Sequence, residues 1–273
     1  MALPDFIIIG AMKCGTTTLQ AQLAAQPGVF MSTPKEPNFF SDDDIYARGL
    51  DWYQGLFAEA PPGALKGEAS THYTKLPTYP DCIDRLASAV PGAKLIYLTR
   101  DPYERLISHF LHEWSTGVMQ GPIDAALERH PELVAYSRYA MQLAPYVDRF
   151  GAERILIERL ETLERDPQAA LDRVGAFLGL RPAPVWRADL GAVNVSAQRI
   201  RRIPLRNLLL LNPVAGALRR TLVPKAVREA VKRRLRMEDR PTLSAAARAR
   251  LRPIFEEDAA ELERLFPYME TVA

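Results

Sequence analysis

Cysteine is nearly missing from this sequence. Cys14 and Cys82 are the only two in 273 residues, so a disulfide framework is excluded and the chain must rely on a buried core. Histidine is scarce as well, with His72, His109, His112 and His130 making up the full set. Long apolar runs are missing too. The uncharged, leucine-rich stretch Asn207 to Leu218 has only twelve residues, short of the roughly 20 a helix needs to cross a bilayer. No basic leader precedes the first apolar run, which follows Asp5, so the start does not read as a signal peptide and a cytoplasmic location is the expectation. No internal repeat or low-complexity tract is visible. Net charge is small at +2, but it is unevenly spread: segment 199–240 holds 13 Lys/Arg against three acids, which leaves the rest of the chain acidic.

What is present is ordinary for a globular protein, with 48% apolar and 25% charged residues. Of the 35 basic residues 28 are arginine, a bias that suits the forked gripping of anions. Asp5–Ile9 is a short continuous apolar run, β-branched and stopped by Gly10, which predicts a strand buried on both faces. Thr16–Gln26 predicts a helix, Val29–Met31 a short strand, and Thr33–Gly67 a loop-rich stretch punctuated by four prolines. A helix over Tyr79–Val90, a strand over Ala93–Thr99 and a helix opened by Asp101-Pro102 follow, with Glu104 completing a capping-box-like pair. Helices over Arg138–Phe150 and Asp166–Leu178 flank a strand at Arg154–Ile157, and Ser244–Phe266 predicts a long charged helix. Strands alternating with helices imply an α/β fold around a parallel sheet. The expected organisation is a single domain over residues 1–273, with the α/β core at 5–180 and a helical extension or lid at 190–273.

The first strand, loop and helix carry the strongest chemical signal. Gly10-Ala-Met-Lys13-Cys-Gly15-Thr16-Thr17-Thr18 has the G-x-x-x-x-G spacing of a phosphate loop, which aims backbone N–H groups and a helix N-terminus at an anion. Thr16, however, stands where a P-loop nucleotidase has its lysine, and the lysine is moved inside the loop to Lys13. A nucleotidase also needs an acid after a second strand to hold Mg²⁺, whereas here Arg100 follows Thr99. This pattern points to transfer of an anionic group without a metal. The plain alternative is a tight glycine turn with a surface lysine. Arg100, at the carboxyl end of a strand, and Ser108, two helical turns past Asp101, are placed to hold a second phosphate. The alternative is an arginine paired with Glu104 or Asp101 and a solvated serine.

On these residues the chain resembles the sulfotransferases that use 3′-phosphoadenylyl sulfate (PAPS), in the branch of the heparan sulfate sulfotransferases and their bacterial relatives. Lys13–Thr18 is similar to the family's 5′-phosphosulfate loop, and Leu98–Phe110 to its 3′-phosphate motif. Lys35-Glu36-Pro-Asn-Phe-Phe40 is similar to the stretch that carries a catalytic carboxylate, Gly67-Glu68-Ala-Ser70 with Tyr73 to a further family segment, and Phe177–Leu180 to the end of the core. The resemblance implies a P-loop-like three-layer α/β fold with about five parallel strands. It implies transfer of a sulfuryl group from PAPS to a hydroxyl or amine of a carbohydrate, lipid or other small acceptor, without a metal cofactor. It assigns the phosphosulfate to Lys13, Gly15, Thr16, Thr17 and Thr18, the 3′-phosphate to Arg100 and Ser108, and catalysis to Lys13 and Glu36. Two departures stand out: Ala69 occupies a place usually held by lysine, and the stretch Asn194–Arg202 lacks the glycine of a C-terminal cofactor loop. Both argue against a heparan-like acceptor.

His72 is the rival to Glu36 as base, while His109 and His112 read as packing or solvated residues and Cys14 as a small filler. Trp52-Tyr53 reads equally as an acceptor entrance or as packing. Two other functions compete, a P-loop kinase or nucleotidase and a basic anion- or membrane-binding module. Segment 199–240 lacks the interleaved aromatics of a nucleic-acid platform, so no nucleic acid is expected. Apolar and basic residues mixed over 204–237 suit a lid or a peripheral contact with an anionic membrane.

Overall fold

The computed structural model describes residues 2–191 and 240–267. The stretch Asn194–Arg202 and the basic segment 204–237 lie outside the described residues. Five strands form one parallel sheet in the order β2-β3-β1-β4-β5, where β1 is Phe6–Gly10, β2 Val29–Met31, β3 Leu65–Ala69, β4 Lys94–Thr99 and β5 Ile155–Arg159. All five residues of β1 and five of the six in β4 are buried. Successive side chains of a strand point to opposite faces, so this burial requires helices on both sides of the sheet. The α/β fold with five parallel strands is the one expected.

The helices are α1 Thr16–Ala24, α2 Asp43–Tyr46, α3 Leu50–Gly55, α4 Cys82–Ala89, α5 Pro102–Thr116, α6 Ile123–Arg129, α7 Glu132–Ala135, α8 Tyr139–Phe150, α9 Leu160–Arg165, α10 Pro167–Leu178 and α11 Ala245–Leu265. Among the described residues none is long and apolar enough to cross a membrane. Ser244 caps α11 by accepting the Ala247 amide, and Gly179 closes α10 in the left-handed region. The main core surrounds the sheet. A smaller one is built where Leu106, Phe110 and Leu111 of α5 meet Leu133 and, from the C-terminal segment, Leu243, Leu251 and Phe255.

Two expectations are corrected. The stretch Thr33–Gly67 is not simply loop: it contains α2 and α3, and its last three residues open β3, a central strand between β2 and β1. Leu65-Lys-Gly-Glu-Ala has no β-branched residue and so gives no strand signal. Its glycine is there for space, because a Cβ on Gly67 would lie 2.2 Å from Phe6 Cζ and 2.6 Å from Met31 Sδ. The capping box at α5 is also only half made. Asp101 accepts the Glu104 amide at 2.8 Å, but the Asp101 amide is taken by Glu161 at 2.8 Å, and the Glu104 carboxylate turns to arginines instead.

From β1 the chain moves outward to β2 and β3 on one side and later to β4 and β5 on the other. The carboxyl ends of β1 and β4 therefore border the topological switch point, where open α/β sheets bind ligands.

Candidate functional site

The loop after β1 is tied to its neighbour strand by the Ala11 amide, which donates to Leu98 C=O at 2.9 Å. Gly10 lets Thr74 and Tyr97 close over it, since a Cβ there would meet Thr74 Oγ1 at 2.0 Å. Lys13 and Gly15 both sit in the left-handed region, at φ 75° and 89°, and Gly15 is the N-cap of α1. The Thr18 and Leu19 amides fold back onto Gly15 C=O. The Thr16 and Thr17 amides have no intrahelical acceptor, so they and the positive end of the helix dipole are left for an anion. Cys14 is fully buried beneath the loop, and burial pushes its thiol up to about 11, against the pull of Arg105. It is a filler and not a nucleophile.

Arg100 sits immediately after β4. Its backbone is held at both ends by one side chain: the Tyr139 hydroxyl donates to Arg100 C=O at 2.8 Å and accepts the Arg100 amide at 3.2 Å. The same hydroxyl lies 3.7 Å from Cys14 Sγ. A single buried oxygen thus joins the phosphate loop to the end of β4. Tyr139 opens α8, where Asp258 of α11 accepts the Ala140 and Met141 amides at 3.0 and 3.1 Å. The C-terminal helix therefore caps the helix that carries the tether. The Arg100 guanidinium bonds Glu104 at 3.2 Å, and Glu104 also takes Arg240. Ser108 is buried on α5 with Arg105 and His109. The Arg–Glu pairing weighed as an alternative is thus present, but the solvated serine is not. His109 stacks on Tyr136 at 5.6 Å, and burial together with Arg105 holds its imidazole well below the ordinary value.

Glu36 reaches the same end of the sheet from the loop after β2. Its amide donates to Ala69 C=O at 2.9 Å, and its backbone is left-handed at φ 58°. Among the described residues only Lys13, Glu36 and Asn38 combine a side chain with such a positive φ. All three belong to this neighbourhood, and strained backbone concentrates where a site demands it. Lys35 Nζ lies 2.6 Å from Glu36 Oε1, and Thr71 Oγ1 donates to the same oxygen at 3.5 Å. Burial works against the Glu36 charge, but the Lys35 ammonium, helped by His72 and Lys75, outweighs it and holds the carboxyl below its usual value. Glu36 is therefore ionised at neutral pH. His72 stacks on Tyr79 at 5.0 Å, and burial with the nearby Lys75 charge lowers it to about 4, so it is neutral.

Sequence reasoning brought Lys13, Gly15, Thr16, Arg100, Ser108 and Glu36 to one region, and the structure places them at one end of the sheet. Thr17 and Thr18 lie there too, in the first turn of α1. It missed Tyr139 and Lys75, which have no local motif, and it gave no role to Arg105, although that residue lies inside the Leu98–Phe110 stretch. Tyr53 is resolved as packing: it is fully buried and donates to Glu68. Among the described residues no group of His, Cys, Asp and Glu has the arrangement of a metal site. The chemical capacity of the region is anion binding at two adjoining points, with an ionised carboxylate nearby.

Comparison with known proteins agrees with this geometry. Residues 3–189 match the family model described as the sulfotransferase domain. The chain is 29% identical over 203 residues to the mouse bifunctional heparan sulfate N-deacetylase/N-sulfotransferase 4, covering 66% of this chain and 23% of that protein. It is 30% identical over 191 residues to the mouse heparan sulfate glucosamine 3-O-sulfotransferase 3B1, covering 66% of this chain and 47% of that protein. The matched region thus spans between about a quarter and a half of these relatives' length. In fold it is similar to a sulfotransferase from Alicyclobacillus acidocaldarius, with a TM-score of 0.69 and 24% identity, covering 98% of this chain and 97% of that one.

Proposed function

Because the chain belongs to the sulfotransferase family and is an enzyme of sulfuryl transfer, we propose that its donor is PAPS and its acceptor a hydroxyl or amine, with a carbohydrate the acceptor favoured by the relatives' names. The observation that carries the donor assignment is the Tyr139 tether, which fixes the lysine-bearing phosphate loop and Arg100 as neighbours. A nucleotide with phosphate at both its 5′ and 3′ positions presents two anions to two such points. Lys13 and the Thr16 and Thr17 amides and hydroxyls hold the 5′-phosphosulfate, and Arg100 with Ser108 holds the 3′-phosphate. Neighbouring Gly15 and Thr18 shape the first turn around the anion.

Transfer is an in-line displacement with a loose transition state, by analogy with phosphoryl transfer. Lys13 and the loop amides neutralise the charge that grows on the bridging oxygen of the departing nucleotide. Glu36 takes the proton of the acceptor group on the opposite side of the sulfur. Its ionised state at neutral pH suits that role, and Lys35 keeps it ionised at some cost in basicity. His72, although neutral, has a buried Nδ1 with no partner and a ring stacked on Tyr79, which favours Glu36 over it. No side chain placed in the site needs a divalent metal for these steps. The test is transfer of labelled sulfate from PAPS to a panel of saccharides and a cell extract, with and without a chelator. Labelled product in both conditions supports the reading. No transfer to any acceptor, or transfer abolished by the chelator, overturns it.

A further inference from the structure

Lys75 stands three residues beyond His72, on the turn that follows β3, at the same end of the sheet as Lys13, Glu36 and Arg100. Its backbone is tightly held. Lys75 C=O accepts the Thr78 amide at 2.8 Å and the Tyr79 amide at 3.3 Å. The next residue, Leu76, is clipped by the fully buried Gln142, whose Oε1 accepts the Leu76 amide at 2.7 Å and whose Nε2 donates to Leu76 C=O at 3.0 Å. The ammonium is presented from this anchored turn, 5.9 Å from the centre of the Tyr136 ring. Among the described residues no carboxylate forms a salt bridge with it.

A half-buried ammonium that faces Glu36 and Glu113 but is in direct contact with neither is costly, and an anion seated against it would lower that cost. A second group in the same cluster points the same way. Arg105 is fully buried, bonds Ser137, Leu133 C=O and His109, and leaves Nη1 buried without a partner. The charges facing Lys75 come from each neighbouring element: Glu36 after β2, His72 on its own turn, Arg105, His109 and Glu113 of α5, and the Tyr136 phenol. His109 feels the charge of both Lys75 and Lys13. Lys75 thus lies within electrostatic reach of Glu36, the proposed base, at the end of the sheet that also carries the Lys13 loop.

We infer that Lys75 is a further catalytic residue of this site, whose ammonium binds an oxygen of the sulfuryl group in transit between Lys13 and Glu36. The inference rests on PAPS being the donor. It deepens that reading by making a cation from the β3 turn, in addition to the phosphate loop, distinguish the sulfated nucleotide from its desulfated product. Burial, chiefly, brings the Lys75 ammonium down to about 8. Glu36, His72 and His109 are displaced downward and Tyr136 upward from their ordinary values, so Lys75 is the member of this set that titrates just above neutrality.

The experiment is calorimetric titration of PAPS and of its desulfated product into the wild type, Lys75→Met and Lys75→Arg between pH 7 and pH 9. The desulfated nucleotide should bind all three proteins alike at pH 7, which also reports that the variants are folded. PAPS should bind Lys75→Met about 10- to 100-fold more weakly than the wild type, the range for a charge-assisted hydrogen bond, with binding recovered in Lys75→Arg. The wild-type preference for PAPS over product should fall as the pH rises through about 8, and that of Lys75→Arg should stay level. An unchanged PAPS affinity in Lys75→Met, or a wild-type preference that does not move with pH, overturns the role of Lys75. Failure of the wild type to bind either nucleotide overturns the donor reading itself. Should Lys75→Met not fold, the comparison of wild type with Lys75→Arg still decides.

Discussion

Replacing Tyr139 by Phe removes one oxygen and keeps the ring, which packs edge-on against Tyr97 at 5.9 Å. The lost oxygen satisfies two backbone groups of Arg100 and lies within reach of the Cys14 thiol. A buried donor or acceptor left without a partner costs about 1–3 kcal/mol. Arg100 is only partly buried, so water can recover some of that loss, and a fall in stability of about 2–4 kcal/mol is expected. The functional consequence is separate from the stability loss. The hydroxyl is the shared strut between the loop and the end of β4, so its removal lets two anion-binding points drift relative to one another. A doubly phosphorylated nucleotide, which must engage both, should bind Tyr139→Phe about 10- to 100-fold more weakly, or about 1.4–2.8 kcal/mol. Inorganic sulfate, which needs only one point, should bind almost as before. Chemical denaturation gives the first quantity, and calorimetry with the 3′,5′-bisphosphate and with sulfate gives the second. If Tyr139→Phe loses the expected stability yet binds the bisphosphate like the wild type, the strut has no role in registering the two points and the reasoning fails. Cys14→Ala makes a useful companion, because it cuts the loop side of the strut while leaving both Arg100 bonds in place, so it should weaken bisphosphate binding in the same direction but with a smaller loss of stability.

Arg100→Ala should weaken binding of the bisphosphate by roughly 2–4 kcal/mol, as expected when a charged group's hydrogen bonds go unmade, and a chelator should not alter the wild-type affinity in the same calorimeter. Glu36→Gln should lower turnover by roughly 10²–10⁴-fold with little change in nucleotide affinity, whereas His72→Ala should cost less; the reverse order in a transfer assay moves the base to His72. His72 has its folded-state value lowered to about 4 by burial, so the unfolded chain binds its proton more readily, and stability should fall as pH drops from about 6.5 towards 4. Denaturation midpoints of His72→Gln should show a shallower acid loss over that window than the wild type, and parallel curves would exclude the assignment. Gly10→Ala should destabilise by about 3 kcal/mol or more in thermal unfolding, because its Cβ would fall 2.0 Å from Thr74 Oγ1; a change near zero would mean that Thr74 moves freely.

Much of the fold is written locally. The apolar run at Asp5–Ile9, the Asp-Pro start of α5 and the serine cap of α11 each act over a few residues, and each element forms within a residue or two of where its pattern predicts it. What escaped has no such local cause. β3 is a strand because Phe6 and Met31 press on Gly67 from the neighbouring strands and because its backbone completes the ladder of β1 and β2. Nothing in Leu65–Ala69 taken alone favours an extended chain. Glu104 misled for the opposite reason. Its spacing from Asp101 satisfies the capping-box rule, yet Arg100 and the distant Arg240 offer its carboxylate a charge that the backbone amide cannot match, while Glu161 serves that amide instead.

The site divides along the same line, and the division has a physical origin. Residues proposed to bind by backbone geometry, such as Gly15 and the first turn of α1, must be contiguous, so they leave a motif. Residues that set the register or the charge of the site need only arrive in space. Tyr139 comes from a helix more than a hundred residues beyond the loop it steadies, and that helix is capped by Asp258 from near the other end of the chain. Lys75 shapes the field around Glu36 without belonging to any repeat or spacing. The loop motif therefore states which anion-binding device is present. The distance between that device and Arg100, and the balance of charge at the carboxylate, are decided by tertiary packing. Substitutions at Tyr139, Asp258 or Lys75 would thus tune transfer while every residue of the recognisable motif stayed in place.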